Sequence, residues 1–296
     1  MSEILHSLAE IQGRYDAVFC DLWGCLHNGK VAFPAAVAAL QAFRAAGGTV
    51  VLLTNSPRPA ASVITQIAGF GVPRDAWDIV VTSGDAAQMG MLSGGVGRRV
   101  HHIGAPKDEV FFTEFAPDLA AFAATQPPIT RVALKEAEGI VCTGLVDDQT
   151  ETPEDYRATL LLTKTLGLPM LCANPDIIVD LGEQRLYCAG ALALAYEGMG
   201  GRALYFGKPH PPIYDLARRR LAETSALADP QILCIGDGFA TDIQGGISEG
   251  LDTLFITGGL EANRFGPDVE RPDADLLQAW LAVGELSPTF AMGRLR

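Results

Sequence analysis

Polar side chains at the ends of apolar runs are the residues of this chain best suited to chemistry. Each run has the composition of a buried β-strand. In open α/β proteins, the carboxyl ends of such strands carry the binding and catalytic groups. We therefore predict that these residues act together, although more than two hundred positions separate the first from the last. They are Asp21, Thr54, Lys208 and Asp237.

These side-chain types suit phosphoryl transfer. An ionised aspartate such as Asp21 can attack phosphorus and form an aspartyl phosphate. The Thr54 hydroxyl and nearby backbone N–H groups can hold phosphoryl oxygens, while Lys208 offsets their charge. Asp21 and Asp237 supply the hard oxygen ligands that Mg²⁺ prefers. The pattern thus indicates a magnesium-dependent site for a small phosphorylated metabolite.

The segments around these residues resemble the motifs of a known family. Residues 21–26, 54–56, 207–209 and 236–243 are similar, in this order, to the four motifs of the haloacid dehalogenase-like (HAD) hydrolases. The last two segments, with residues 173–176, resemble class IIA, which includes 4-nitrophenylphosphatase and pyridoxal phosphatase relatives. The resemblance covers nearly the whole chain. It implies a phosphatase or phosphotransferase that works through an aspartyl-phosphate intermediate and requires Mg²⁺.

The resemblance also implies a role for each matching position. The catalytic pair is Asp21 and Lys208. The metal ligands are Asp21, the backbone carbonyl of Trp23, Asp237 and Asp242. The substrate-binding candidates, of which the last three lie in a cap, are Thr54, Asn55, Ser56, Asn174, Asp176 and Arg185.

Position 23 departs from the family pattern. The family usually has an aspartate two residues after the nucleophile, where it protonates the leaving group and later helps to activate water; this chain has Trp23. General acid–base catalysis contributes roughly 10²- to 10⁴-fold, so we predict weakened turnover, most of all for alkyl phosphates. His27, in the loop that follows, is a candidate replacement acid.

Three interpretations stay open. The favoured one is a Mg²⁺-dependent phosphatase or phosphotransferase weakened by Trp23. The alternative is a non-catalytic phosphate- or metabolite-binding protein on the same fold. A third is different chemistry, with Asp21 attacking carbon or Cys25 acting as a thiol. A dinucleotide site at residues 236–241 is disfavoured, because Asp237 would stand where a pyrophosphate must approach.

Bulk properties exclude several classes of protein. The 296 residues are 48% hydrophobic and 19% charged, which fits a folded globular chain of about two domains. A net charge of −13 disfavours nucleic acid and anionic membranes, and no apolar run is long enough to span a bilayer. The N-terminus has no targeting character and the six cysteines are scattered, so we expect a cytoplasmic protein with reduced thiols. The sequence leaves the oligomeric state open, including a homo-oligomer.

The order of elements predicts the fold class. Strands and helices alternate with short connections, which favours an α/β fold with a doubly wound parallel sheet. The resemblance implies a Rossmann-like HAD core, residues 1–95 and 202–296, with an inserted α/β cap domain, residues 96–201. We place the strand over residues 203–206 in the core sheet, and a short amphipathic helix over residues 4–11 before the first core strand.

Overall fold

The computed structural model describes residues 2–181, 184–225, 229–284 and 286–296. Within these ranges, the strands are β1 (Glu3–Ile4), β2 (Ala17–Cys20), β3 (Thr49–Thr54), β4 (Ile79–Thr82), β5 (Arg99–Ile103), β6 (Thr130–Arg131), β7 (Gly139–Cys142), β8 (Met170–Cys172), β9 (Ile178–Leu181), β10 (Gln184–Tyr187), β11 (Ala203–Tyr205), β12 (Ile232–Gly236), β13 (Asp252–Ile256) and β14 (Phe290–Met292). The α-helices are α1 (Pro34–Ala45), α2 (Ala60–Gly69), α3 (Ser83–Leu92), α4 (Val110–Thr113), α5 (Pro117–Ala123), α6 (Arg157–Thr165), α7 (Ala189–Gly198), α8 (Pro211–Thr224), α9 (Gln244–Ser248) and α10 (Ala274–Gly284).

One compact unit comprises Met1–Thr54, Ile64–Val81 and Tyr214–Arg296. Its seven-stranded sheet has the order β1-β14-β13-β12-β2-β3-β4. β2 pairs in parallel with both β3 and β12, so the strand order changes direction at β2. Such a switch point leaves a crevice at the carboxyl ends of the two strands. The fold therefore brings the residues after β2 and β12 side by side.

Both faces of this sheet are covered, which explains the apolar character of its strands. Every residue of β2 and of β12 is buried. On β13 and β14, Phe255 and Ala291 pack against Leu277 and Leu281, which are four residues apart and so share one face of α10. Strands that are buried on both faces have unbroken apolar runs in their sequences.

The second compact unit comprises Asn55–Val63 and Thr82–Ile213. Its five-stranded sheet has the order β11-β8-β7-β5-β6, and all of its neighbouring strands are parallel. Ile140 on β7 packs with Leu160 of α6, whereas the next residue, Val141, packs with Met91 of α3. Adjacent strand residues point to opposite faces, so this sheet is also covered on both sides. A separate antiparallel pair is formed by β9 and β10.

The α/β class with parallel sheets is confirmed, but two local predictions are wrong. Residues 203–206 do not belong to the seven-stranded sheet, because β11 pairs in parallel with β8 in the five-stranded sheet. A buried parallel strand has the same composition in either sheet, so composition does not distinguish them. Residues 4–11 are not an α-helix: β1 and a short 3₁₀ turn bury Leu5, Leu8 and Ile11 instead.

Other bulk expectations can be compared with the structure. All six cysteines are free and buried. Among the described residues, none of the helices has the length and apolarity needed to cross a bilayer. The division into a core of residues 1–95 and 202–296 and a cap of residues 96–201 stays a prediction.

Candidate functional site

Two carboxylates and a thiol meet at the ends of β2 and β12. Cys20 is in register with Ile235, and the Asp21 N–H donates to the Ile235 carbonyl at 2.8 Å. Asp237 therefore lies beside Asp21, and each side chain is 8% exposed. A carboxylate oxygen of Asp21, one of Asp237 and the Cys25 sulfur all lie within 4.8 Å of one another. Two buried carboxylates this close repel each other unless a positive charge joins them.

The Asp237 carboxylate is held closely by backbone. Gly24 has φ +76°, and a Cβ built there would lie 1.9 Å from Oδ2 of Asp237. A Cβ on Gly259 would lie 2.1 Å from the same oxygen, and the Leu260 N–H donates to it at 2.8 Å. Sequence reasoning missed the contribution of Gly259 and Leu260. The signal was a pair of glycines shortly after a predicted strand, at residues 258–259.

Asp242 supports the loop that carries Asp237. It is buried on the short π-helical turn Phe239–Ile243, and its Oδ2 accepts a hydrogen bond from the Gly238 N–H at 3.0 Å. Asp242 is not one of the three residues whose ligand atoms cluster within 4.8 Å. Thr54 is the last residue of β3 and is buried.

Cys25 is poorly suited to act as a nucleophile. The residue is 1% exposed. Burial raises the pKa of its thiol well above the usual value, and the neighbouring Asp237 and Asp21 raise it further. The thiolate is the nucleophilic form of cysteine. The thiol is therefore protonated at neutral pH, which argues against the interpretation that uses Cys25 as an attacking group.

Trp23 packs its ring on the loop that follows the strand. A Cβ on Gly29 would lie 2.5 Å from the Trp23 ring, so this glycine, at φ +83°, is required for the contact. The Trp23 ring also meets the His27 ring edge-on, with centroids 5.6 Å apart. The indole has no acidic proton to give to an alkoxide.

His27 braces the same loop. Its Nδ1 accepts a hydrogen bond from the Gly29 N–H at 3.0 Å, so the proton of the neutral ring belongs on Nε2. The side chain is 3% exposed, and burial lowers its pKa to about 4. A histidine that is neutral at pH 7 is a poor general acid. The structure therefore argues against His27 as the replacement proton donor.

In the second unit, Asn55 ties together two other predicted residues. Its Nδ2 donates to Oδ1 of Asp176 at 2.8 Å and to the Lys208 carbonyl at 3.0 Å. Its Oδ1 accepts from the Lys208 N–H at 2.7 Å. Lys208 and Asn55 are 3% and 4% exposed. The Asn55 amide thus bonds to both the N–H and the carbonyl of Lys208, which fixes the backbone of the lysine.

The glycine before Lys208 makes this arrangement possible. A Cβ on Gly207 would lie 2.5 Å from Oδ1 of Asn55 and 2.6 Å from the Ser83 hydroxyl. Asn174 contributes by accepting a hydrogen bond from the Asp176 N–H at 3.0 Å. Asn55, Lys208, Asn174 and Asp176 are thus linked to one another within the second unit.

The two remaining substrate-binding candidates are less deeply placed. Ser56 is half-buried, and its carbonyl accepts a hydrogen bond from Gly84 N–H at 2.9 Å. Arg185 is exposed on β10. Residues 182–183, which join β10 to β9, lie outside the described residues.

Comparisons with known proteins agree with these motifs. A family model described as haloacid dehalogenase-like hydrolase matches residues 18–116, and one described as HAD-hydrolase-like matches residues 205–277. A solved hydrolase of the haloacid dehalogenase-like family from Brucella suis 1330 is 40% identical, covers 100% of both chains and has a TM-score of 0.83.

More distant relatives extend the comparison. The 5'-nucleotidase YutF of Bacillus subtilis (strain 168) is 25% identical over 90% of this chain and 98% of its own. The ribonucleotide monophosphatase NagD of Escherichia coli (strain K12) is 25% identical over 83% of this chain and 88% of its own. A 4-nitrophenylphosphatase from Thermotoga maritima, 21% identical over 95% of each chain with a TM-score of 0.69, shares the fold. The chain belongs to the haloacid dehalogenase-like hydrolase family, as a member of its class IIA.

Proposed function

We propose that this protein is a phosphatase or phosphotransferase that acts on a small phosphorylated metabolite through an aspartyl phosphate on Asp21. The observation that carries the proposal is the cluster of Asp21 and Asp237 at the ends of adjacent strands. Two relatives that align over most of both chains are named as nucleotide phosphatases, which supports the substrate class. In this reaction a carboxylate oxygen of Asp21 bonds to phosphorus as the bond to the leaving group breaks.

The donor set fits a hard divalent cation. The ligand oxygens of Asp21 and Asp237 lie within 4.8 Å of each other, and the Asp237 carboxylate is fixed by the Leu260 N–H. Carboxylate oxygens suit Mg²⁺, which keeps several waters and needs few protein ligands when phosphate supplies another. When bound, Mg²⁺ would neutralise charge on the transferring phosphoryl group. Without a cation, the two carboxylates would repel a phosphate dianion.

The other residues keep the roles that the family resemblance implies. Lys208 would offset phosphoryl charge as a compact cation. Its burial and the double grip of Asn55 on its backbone support a fixed rather than a mobile lysine. Thr54, Ser56 and the backbone N–H of Asn55, whose side-chain protons are already donated, would donate to the phosphoryl oxygens. Asn174, Asp176 and Arg185 would contact the rest of the substrate.

The chemistry at position 23 determines which phosphates react fastest. Trp23 has no acidic proton to donate, and His27 is neutral at pH 7. Leaving groups that depart as stable anions, such as phenolates and carboxylates, need no proton. We therefore propose that the enzyme prefers aryl and acyl phosphates over alkyl phosphates. Because Trp23 stands where the family has its second aspartate, hydrolysis of the aspartyl phosphate would also be slow.

The test is a panel of phosphorylated metabolites assayed with and without Mg²⁺, beside the Asp21→Asn variant. The panel should contain aryl, acyl and alkyl phosphates at equal concentration. Phosphate release that needs Mg²⁺ and is lost in Asp21→Asn is the expected result. Intact-mass measurement after mixing with acetyl phosphate should show a phosphate adduct on the wild-type chain alone.

The outcomes separate the interpretations. Equal rates for alkyl and aryl substrates would contradict the proposed role of position 23. Tight phosphate binding without any turnover would favour the non-catalytic binding protein. Activity that persists after removal of divalent metal would refute the proposed metal requirement.

A further inference from the structure

The Cys25 thiol is an unexpected donor in the carboxylate cluster. Its sulfur lies within 4.8 Å of a ligand oxygen of Asp21 and of Asp237. The thiol is 1% exposed, and no hydrogen bond to it is found in the part of the chain that the structure describes. A buried sulfur within 4.8 Å of two carboxylate oxygens is a place where a cation can be held.

The position of this thiol is fixed by the same glycine that confines Asp237. Gly24 lies against the Asp237 carboxylate in a conformation with φ +76° that excludes a side chain, and Cys25 is the next residue. The Leu26 N–H donates to the Leu22 carbonyl at 2.7 Å, which closes the turn around Cys25. The backbone of Cys25 is therefore held beside the carboxylates, and its sulfur lies within 4.8 Å of their oxygens.

We propose that Cys25 is a third ligand of this site and that the site takes thiophilic divalent cations such as Zn²⁺ and Cd²⁺. Mg²⁺ gains nothing from sulfur, whereas Zn²⁺ and Cd²⁺ bind thiolate strongly at bond lengths of about 2.3 Å or slightly more. On binding, the S–H bond breaks, a sulfur–metal bond forms and the proton passes to solvent. This inference shares the metal site of the proposed function, and it predicts that such ions displace Mg²⁺ and stop turnover.

The experiment is a titration of the purified full chain with Cd²⁺, followed by the ultraviolet thiolate-to-cadmium charge-transfer absorption. Wild type should develop the band with one Cd²⁺ per chain. Cys25→Ser should lose the band, and Cys25→Ala should lose it as well. The matched control is Cys234→Ser, which changes a buried cysteine in the same unit whose sulfur lies against Gly246 rather than the carboxylates, and should keep the band.

A second measurement ties the band to the cluster. Asp237→Asn should weaken Cd²⁺ binding by more than about tenfold, because loss of even an indirect metal contact has effects of that size. A wild-type chain without the band, a band that survives in both Cys25 variants, or one unchanged in Asp237→Asn would each overturn the inference. The band requires no turnover, so a protein that shows it but hydrolyses no phosphate would refute the proposed function alone.

Discussion

The substitution Gly24→Ala should separate the stability of the fold from the integrity of the proposed metal site. An added Cβ at residue 24 would lie 1.9 Å from Oδ2 of Asp237. That oxygen accepts the Leu260 N–H at 2.8 Å, and the Gly259 backbone approaches it as well. The carboxylate therefore has little room to rotate without losing its hydrogen bond, and we expect it to leave its position in the cluster with Asp21.

The expected cost has two parts. A residue with a Cβ in the left-handed region costs about 1–2 kcal/mol. Forcing an extra carbon against packed atoms adds about 1–3 kcal/mol. The matched control is Gly47→Ala, because Gly47 also has positive φ, +97°, but nothing lies within 4 Å of its added Cβ. Gly47→Ala should therefore lower the free energy of unfolding by only about 1–2 kcal/mol, and Gly24→Ala by about 2–5 kcal/mol.

The assay is thermal unfolding of both variants with and without a divalent cation. A cation that binds only the folded state raises Tm, and the increment falls as the dissociation constant rises. Mg²⁺ or Mn²⁺ should raise the Tm of wild type and of Gly47→Ala by the same amount, while the increment for Gly24→Ala should vanish. A Gly24→Ala variant that keeps the wild-type increment would show that the Asp237 carboxylate is not required where the structure places it.

Three further outcomes are expected. Trp23→Asp should raise kcat/KM for alkyl phosphates by roughly 10²- to 10⁴-fold, because it restores a proton donor. The increase for aryl phosphates should be much smaller. An equal change in kcat/KM for both would contradict this reasoning. Burial lowers the pKa of His27 to about 4, below the unfolded value of about 6.5. Between these two pH values the unfolded chain binds more protons than the folded chain. The free energy of unfolding should therefore fall as pH drops from about 6.5 to about 4, by up to about 3 kcal/mol. His27→Asn, whose Oδ1 can still accept the loop N–H, should flatten that part of the pH profile in denaturant titrations, and an unchanged slope would refute the assignment. Gly207→Ala should displace Asn55 and lower both Tm and activity, whereas Gly198→Ala, which has nothing within 4 Å of its added Cβ, should leave activity unchanged.

The positions of Asp21 and Asp237 at strand ends could be predicted, because the sequence pattern there is strong. A buried parallel strand followed by Asp21 or Asp237 has a distinctive pattern: an unbroken apolar run, then a carboxylate, then glycine. The adjacency of the two strands followed from the motif order, although they lie far apart in the chain. The resemblance to a family therefore extended what the residues alone indicated.

What the sequence did not reveal depends on tertiary partners. The β11 segment has the same apolar composition whichever sheet it joins, and only its pairing with β8 decides between them. The contact between Gly24 and Asp237 arises from a loop conformation, which no periodicity encodes. His27 looked like a catalytic candidate from its position, yet its neutral state follows from burial that only the fold supplies.

The choice between an enzyme and a binding protein depends on Asp21. In a protein that only binds phosphate, a carboxylate beside the anion would lower the affinity, because the two negative charges repel. Asp21→Asn keeps the shape and removes that charge, so in the absence of divalent cations phosphate binding should become tighter, while turnover and the mass adduct measured with Mg²⁺ disappear. If instead Asp21→Asn binds inorganic phosphate no better than wild type in calorimetry with divalent cations removed, the carboxylate does not face the phosphoryl group. The nucleophilic role proposed for Asp21 would then be wrong even if its proximity to Asp237 holds.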